Sequence, residues 1–233
     1  MFYQTIEQAF ATRGIAATNE QLCLLEKFYD LLTEKNKVMN LTRITSPEDA
    51  ANKHFYDSVS ILKYIELPAG ARVIDIGTGA GFPAIPLCIL RPDLSITAVD
   101  ASGKKAAFVA ETATALGLNI KALSARAEEL ARDIQHREMY DYALSRAVAS
   151  LPVLLELCIP FLKPGGQFIA YKGADFKNEL ALSQTAIKKL MLQQNAVLLP
   201  FVERQHALIV FAKLETTPAA YPRKFSQIIS KPL

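Results

Sequence analysis

The sequence of 233 residues has no tryptophan, only three cysteines and only three histidines. Cys23, Cys88 and Cys158 stand alone in the apolar stretches QLCLL, PLCIL and ELCIP, with no CxxC pair and no histidine at ligand spacing. That excludes a disulfide framework and points to buried thiols in a reducing compartment. His54, His136 and His206 are as scattered, so no metal site is expected. No run approaches the roughly 18 uninterrupted apolar residues of a membrane span. The opening MFYQTIEQAF lacks the basic start and apolar run of a signal peptide. A soluble, cytoplasmic and monomeric protein with no membrane partner is expected. Acids are missing from Thr216 onward, where Arg223, Lys224 and Lys231 carry an excess equal to the net charge of +3. Such a tail either neutralises phosphates of a nucleic acid or is plain solvated surface.

Two regimes of periodicity follow. Up to Leu67 the apolar residues recur at helical spacing, as in Leu22, Leu25, Phe28 and Leu32. Thr18 with Gln21 makes a capping box, and Ser46-Pro47 followed by Glu48 and Asp49 marks a second helix start. LPAGA at 67–71 is the boundary. Beyond it, short strand-like runs alternate with helical ones: 72–76, 95–99, 119–123, 140–145, 167–171, 196–201 and 207–212. Too few residues separate the last two for a crossover helix, so they form an antiparallel pair. The organisation predicted is a helical lobe (1–67), an α/β domain with a seven-stranded doubly wound sheet (68–215) and a basic tail (216–233). That sheet is the usual architecture of S-adenosylmethionine-dependent methyltransferases, whereas dinucleotide-binding sheets usually have six parallel strands.

The stretch RVIDIGTGAGFPAIPL at 72–87 carries Asp75, Gly77, Gly79 and Gly81 as D-x-G-x-G-x-G. This is not the G-x-G-x-x-G dinucleotide fingerprint, since bulky Phe82 stands where close helix packing asks for glycine or alanine. The loop therefore suits a cofactor without a pyrophosphate, with Phe82 as an apolar wall and a helix starting at Pro83. Asp100, at the tip of the next strand, can bind both ribose hydroxyls of an adenosine or cap the following helix. Adenosylmethionine is preferred over a nicotinamide cofactor.

The acceptor faces the ends of strands four and five, where SRAVASLP and YKG stand. There is no Asn/Asp-Pro-Pro-Tyr for an exocyclic amine and no Pro-Cys for a cytosine carbon. Of a ribose-activating set only Lys172 is present. Guanine N7 has an in-plane lone pair and needs alignment rather than a base. Arg146 and Lys172 would then hold phosphate or the guanine O6 edge. The alternatives are a surface ion pair for Arg146 and a contact near Asp175 for Lys172. His54 and Asp57, three apart on a helix, share one face.

The motifs NLT (40–42), HFYDS (54–58), IDIGTGAGFPAIPL (74–87), VDASGKKAAF (99–108), RAEEL (126–130), SRAVASL (145–151), YKG (171–173) and YPRK (221–224) resemble those of the bacterial small-subunit ribosomal RNA guanine-N7 methyltransferases, the glucose-inhibited division protein B family. The resemblance covers nearly the whole chain. It implies adenosylmethionine contacts from Gly77, Phe82, Ala127, Glu128 and Arg146, with Asn40, His54 and Asp57 at the acceptor pocket. The implied substrate is a guanosine in a decoding-region loop of 16S ribosomal RNA, naked or within the small subunit. The tail departs from the family pattern: Ser226, Ile228 and Ser230 stand at its Gly, Pro and Lys positions, which puts its usual turn and its RNA grip in question. A methyltransferase-like RNA-binding module without catalysis and a nicotinamide-dependent oxidoreductase are the competing readings.

Overall fold

The computed structural model describes residues 2–201 and 206–233. Helices α1 (Phe2–Ala11), α2 (Asn19–Met39) and α3 (Pro47–Ala50) are followed by a π-helical turn at Ala51–Tyr56 and the short α4 (Asp57–Val59). Then come β1 (Arg72–Ile76), α5 (Ala84–Leu90), β2 (Ser95–Asp100), α6 (Gly103–Leu116), β3 (Ile120–Ser124), α7 (Ala127–Leu130) and β4 (Tyr140–Arg146). The chain continues through α8 (Leu151–Cys158), β5 (Leu162–Lys172), α9 (Phe176–Leu182), α10 (Gln184–Lys189), β6 (Leu192–Phe201), β7 (His206–Lys213) and α11 (Phe225–Ser230).

The seven strands form one sheet in the order β3-β2-β1-β4-β5-β7-β6. β1 to β5 are parallel, and β7 runs antiparallel to both β5 and β6. The order reverses between β1 and β4, which opens a crevice at their carboxyl ends. Two strands are longer than the apolar runs suggest. β5 begins at Leu162 because Pro164-Gly165, which reads as a turn, sits in an irregular pairing with β4. β6 begins at Leu192 because its polar Gln193 and Gln194 lie on the edge strand. α5 starts one residue after Pro83, at Ala84.

Both helix starts read from the N-terminal region are present. The Thr18 hydroxyl accepts from the Gln21 N–H at 3.2 Å while Gln21 Oε1 accepts from the Thr18 N–H at 3.0 Å, and Ser46 Oγ accepts from the Asp49 N–H at 3.2 Å. Gln21 also donates to the Ile89 and Leu90 carbonyls at 3.1 and 3.2 Å, the orphan acceptors at the end of α5. The packing does not follow the boundary at 67–71. Leu22, Leu25, Phe28 and Phe55 share one buried core with Val73, Phe82 and Ile85, so the first helices cover one face of the sheet. α8 to α11 cover the other.

The tail is where the sequence misleads most. Instead of plain solvated surface it forms α11, with Ile228 fully buried. The Arg223 guanidinium grips the Glu156 carboxylate from Nε at 2.9 Å and Nη2 at 2.6 Å, and its backbone N–H adds a third bond at 2.8 Å. Glu156 is 0 % exposed. A buried carboxylate requires such a partner, so Arg223 anchors the tail instead of offering its charge to phosphate; Lys224 and Lys231 stay exposed. Among the described residues no helix is long and apolar enough to cross a membrane. No group of three or more His, Cys, Asp or Glu side chains is placed there to hold a metal.

Candidate active site

The loop after β1 turns on glycines with positive φ: Gly77 at 75° and Gly79 at 60°. A Cβ on Gly77 would lie 2.2 Å from Val148 Cγ2, so only glycine lets the loop pack against the segment after β4. At Gly79 the nearest atom would be 3.9 Å away, which leaves this backbone open toward the crevice. Gly81 is closed off by Ile85.

Asp100 ends β2 and is 9 % exposed. Its Oδ2 accepts from the Gly79 N–H at 3.0 Å and its Oδ1 from the Ser102 N–H at 2.8 Å, so one carboxylate ties the glycine loop to the start of α6. Asp75 lies beneath the loop, 0 % exposed, with no hydrogen-bond partner for either oxygen among the described residues. Burial pushes its carboxyl up to about 7; the Thr78 hydroxyl and the Ala84 N–H, close but outside hydrogen-bond geometry, offset this in part. Folded Asp75 thus keeps its proton between about pH 4 and 7, where the unfolded chain has lost it. The associated stabilisation is complete at the acid end of that window and is lost as pH rises through 7. The stability gained by Asp75→Asn is therefore expected to grow from pH 4 to 7 and then level off. Denaturant midpoints of both proteins across pH check this, and a pH-independent difference would count against it.

A cleft of about 440 Å³ lies over the loop, bounded by Gly77, Gly79, Phe82, Asp100, His54 and Arg146. A smaller, more apolar compartment of about 140 Å³ adjoins it across Gly77, Asp100 and Val148; Ala127, Glu128 and Phe225 line its far side. Glu128 is 8 % exposed and accepts from Arg126 Nε at 3.0 Å, while the Arg126 guanidinium lies 4.3 Å over the Phe225 ring. Phe225 went unrecognised in the sequence; its one signal is an aromatic residue directly after a basic pair.

Arg146, at the end of β4, is the hub of a side-chain cluster bordering the cleft. Nη1 donates to Asp57 Oδ2 at 3.0 Å and to the Lys53 carbonyl of the π-helical turn at 3.1 Å, and Nη2 donates to His54 Nδ1 at 3.1 Å. The guanidinium also sits 5.0 Å over the Phe82 ring, on which His54 stacks at 4.7 Å. Burial first, then the Arg146 charge, lowers His54 to about 4, with Asp57 pulling the other way. Its imidazole is neutral throughout the physiological range. His54 and Asp57 do share one face, with Arg146 bonded to both and standing between them.

Two further expectations fare differently. Asn40 is the exposed left-handed cap of α2 and does not border the cleft; Leu41 and Thr42 do. Lys172 is 8 % exposed and paired to Glu179 at 2.6 Å, with a second bond to the Ala149 carbonyl at 2.9 Å. Glu179 also accepts from the Leu151 N–H at 2.5 Å. The lysine braces the segment from Ala147 to Leu151 and has no charge left over for a phosphate.

The family model of GidB, rRNA small subunit methyltransferase G, matches residues 21–208. The chain belongs to the GidB family. Ribosomal RNA small subunit methyltransferase G of Desulforamulus reducens is 44 % identical, over 98 % of this chain and 97 % of that one. Its counterpart from Alkaliphilus metalliredigens is 43 % identical, over 94 % of each. Among solved structures, a putative S-adenosylmethionine-dependent methyltransferase of Methanococcus maripaludis superposes with a TM-score of 0.57 at 17 % identity, covering 81 % of this chain and 93 % of that one. A SAM-dependent methyltransferase of Aquifex aeolicus gives 0.55 at 18 %, covering 77 % and 97 %. The GidB chain thus has the seven-stranded class I methyltransferase fold. Its loop fits adenosylmethionine on structural grounds too: the open backbone at Gly79 suits close approach of a cofactor.

Proposed function

We propose that this GidB-family chain transfers the methyl of S-adenosylmethionine to N7 of a guanosine in the decoding-region loop of 16S ribosomal RNA. The observation that carries this reading is that, among the described residues, the cleft holds no disengaged general base. His54 is neutral with both ring nitrogens bonded, Asp57 is paired to Arg146, and Asp100 holds two backbone N–H groups. An acceptor that must first lose a proton is poorly served by such a site, whereas a ring nitrogen with a lone pair needs only alignment.

Adenosylmethionine, when bound, supplies an electrophilic sulfonium methyl. The backbone at Gly77 and Gly79 with Asp75 would hold its amino-acid part, Asp100 its ribose, and Ala127, Glu128 and Phe225 its adenine. Phe82 and His54 form the stacked wall between donor and acceptor sides. Lys105 at the rim of the cleft, with exposed Lys224 and Lys231, supplies positive charge to the RNA backbone.

Cells lacking the protein are expected to lose one N7-methylguanosine from small-subunit RNA and to regain it with the wild-type gene. Mass spectrometry of digested ribosomal RNA makes the measurement, and an unchanged guanosine methylation profile would sink the assignment.

A further inference from the structure

Arg146 is held by the Lys53 carbonyl, Asp57 and His54, and Lys172 by Glu179 and the Ala149 carbonyl. A count of protons around His54 points to another group. A guanidinium can only donate, so the 3.1 Å contact of Arg146 Nη2 with His54 Nδ1 makes Nδ1 an acceptor. A neutral imidazole has one N–H, which must then be on Nε2. Nε2 lies 2.7 Å from Thr42 Oγ1 and donates to it. The Ile44 N–H donates to the same oxygen at 3.0 Å. Both lone pairs of the Thr42 hydroxyl are therefore filled, and its own hydrogen has no acceptor among the described residues.

That hydrogen is also held in place. Asn36 clamps the Thr42 backbone on both sides, accepting from its N–H at 2.8 Å and donating to its carbonyl at 2.9 Å. Thr42 lines the large cleft beside His54. The relay from Arg146 through His54 to Thr42 thus ends in one fixed O–H donor at the acceptor side of the site.

We propose that the Thr42 hydroxyl donates a hydrogen bond to O6 of the target guanine and thereby selects guanine and aligns its N7. This rests on the N7-methylation reading. Guanine presents O6 next to N7 as an acceptor, whereas adenine presents an amino donor there, which would face the threonine hydrogen. Loss of one such contact costs roughly ten- to a hundredfold.

The test uses small-subunit RNA carrying guanosine or 2-aminopurine at the target position; the analogue keeps N7 and lacks O6. Wild type is expected to methylate the analogue with kcat/KM about ten- to a hundredfold lower. Thr42→Val should lose a similar factor on guanosine and no longer distinguish the two RNAs, and Thr42→Ser should restore the distinction. Adenosylmethionine affinity of each variant reports that the donor side is intact. Equal rates of wild type on both RNAs would overturn the proposal, as would a Val variant that still discriminates. If wild type places no methyl on N7 of any guanosine, the functional reading falls and takes this one with it. If N7 is methylated and the discrimination is indifferent to residue 42, only the role of Thr42 falls.

Discussion

Replacing Arg223 by alanine is expected to destabilise the protein by about 3–5 kcal/mol, because it leaves a fully buried carboxylate without its cation. For a chain of this size that lowers Tm by roughly 6–20 °C. Removing both partners, as in Glu156→Leu with Arg223→Leu, should recover most of the loss, since a well-packed apolar pair often matches a buried ion pair. Lys224→Ala is the contrasting case. It is exposed and should leave Tm alone while reducing the salt slope of RNA binding by about 0.7 to 0.9, the share of one phosphate contact. Thermal melts and salt titrations on the same variants separate the two roles. A normal melt with an altered salt slope in Arg223→Ala would return that residue to the RNA surface.

Arg146→Ala is expected to lower kcat for methyl transfer by at least about 100-fold, the scale for loss of one preorganised active-site donor. Three consequences act together. Among the described residues Asp57, 4 % exposed, then keeps only the His206 ring, 3.6 Å away, beside its carboxylate. His54 loses the donor that fixes its tautomer, so the Thr42 hydroxyl is no longer held as a donor. His54 also loses a positive neighbour that lowers its basicity, so its titration moves up from about 4 toward the ordinary histidine value. Lysine should rescue poorly, as a single ammonium cannot serve the Lys53 carbonyl, Asp57 and His54 at once. Single-turnover rates paired with an NMR titration of His54 make the check. Wild-type kcat with His54 still near 4 would remove Arg146 from the acceptor machinery.

The sequence made the sheet legible because its signals are local: each strand is an apolar run closed by a turn, and the short link before β7 requires an antiparallel partner. The glycine loop and Asp100 were legible for the same reason, since strand, loop and following helix are contiguous. Pairing across distance was not. Nothing in the neighbourhood of Arg223 announces Glu156, and nothing around Lys172 says that Glu179 will turn back to meet it. A lone cation in a sequence reads as available, while the fold decides whether a carboxylate has already claimed it. Ala127 and Glu128 entered through resemblance alone, and the structure sets them around the smaller compartment. The helical lobe looked separable because an amphipathic helix shows the same pattern whether it packs on other helices or on a sheet. At NLT the informative residue is the threonine, because its hydroxyl, not the asparagine side chain, meets His54.

The two compartments of the cleft are also ordered in time. Every residue lining the larger one falls between Leu41 and Val148, whereas the smaller one needs Phe225. Synthesis from the N-terminus therefore delivers the lining of the larger compartment first. The smaller compartment is completed only once the tail is made and Arg223 has reached Glu156. A chain halted before residue 223 holds an uncompensated buried acid and an open pocket wall together. Truncation ahead of Arg223 is therefore expected to cost stability and to leave the smaller compartment without its Phe225 wall.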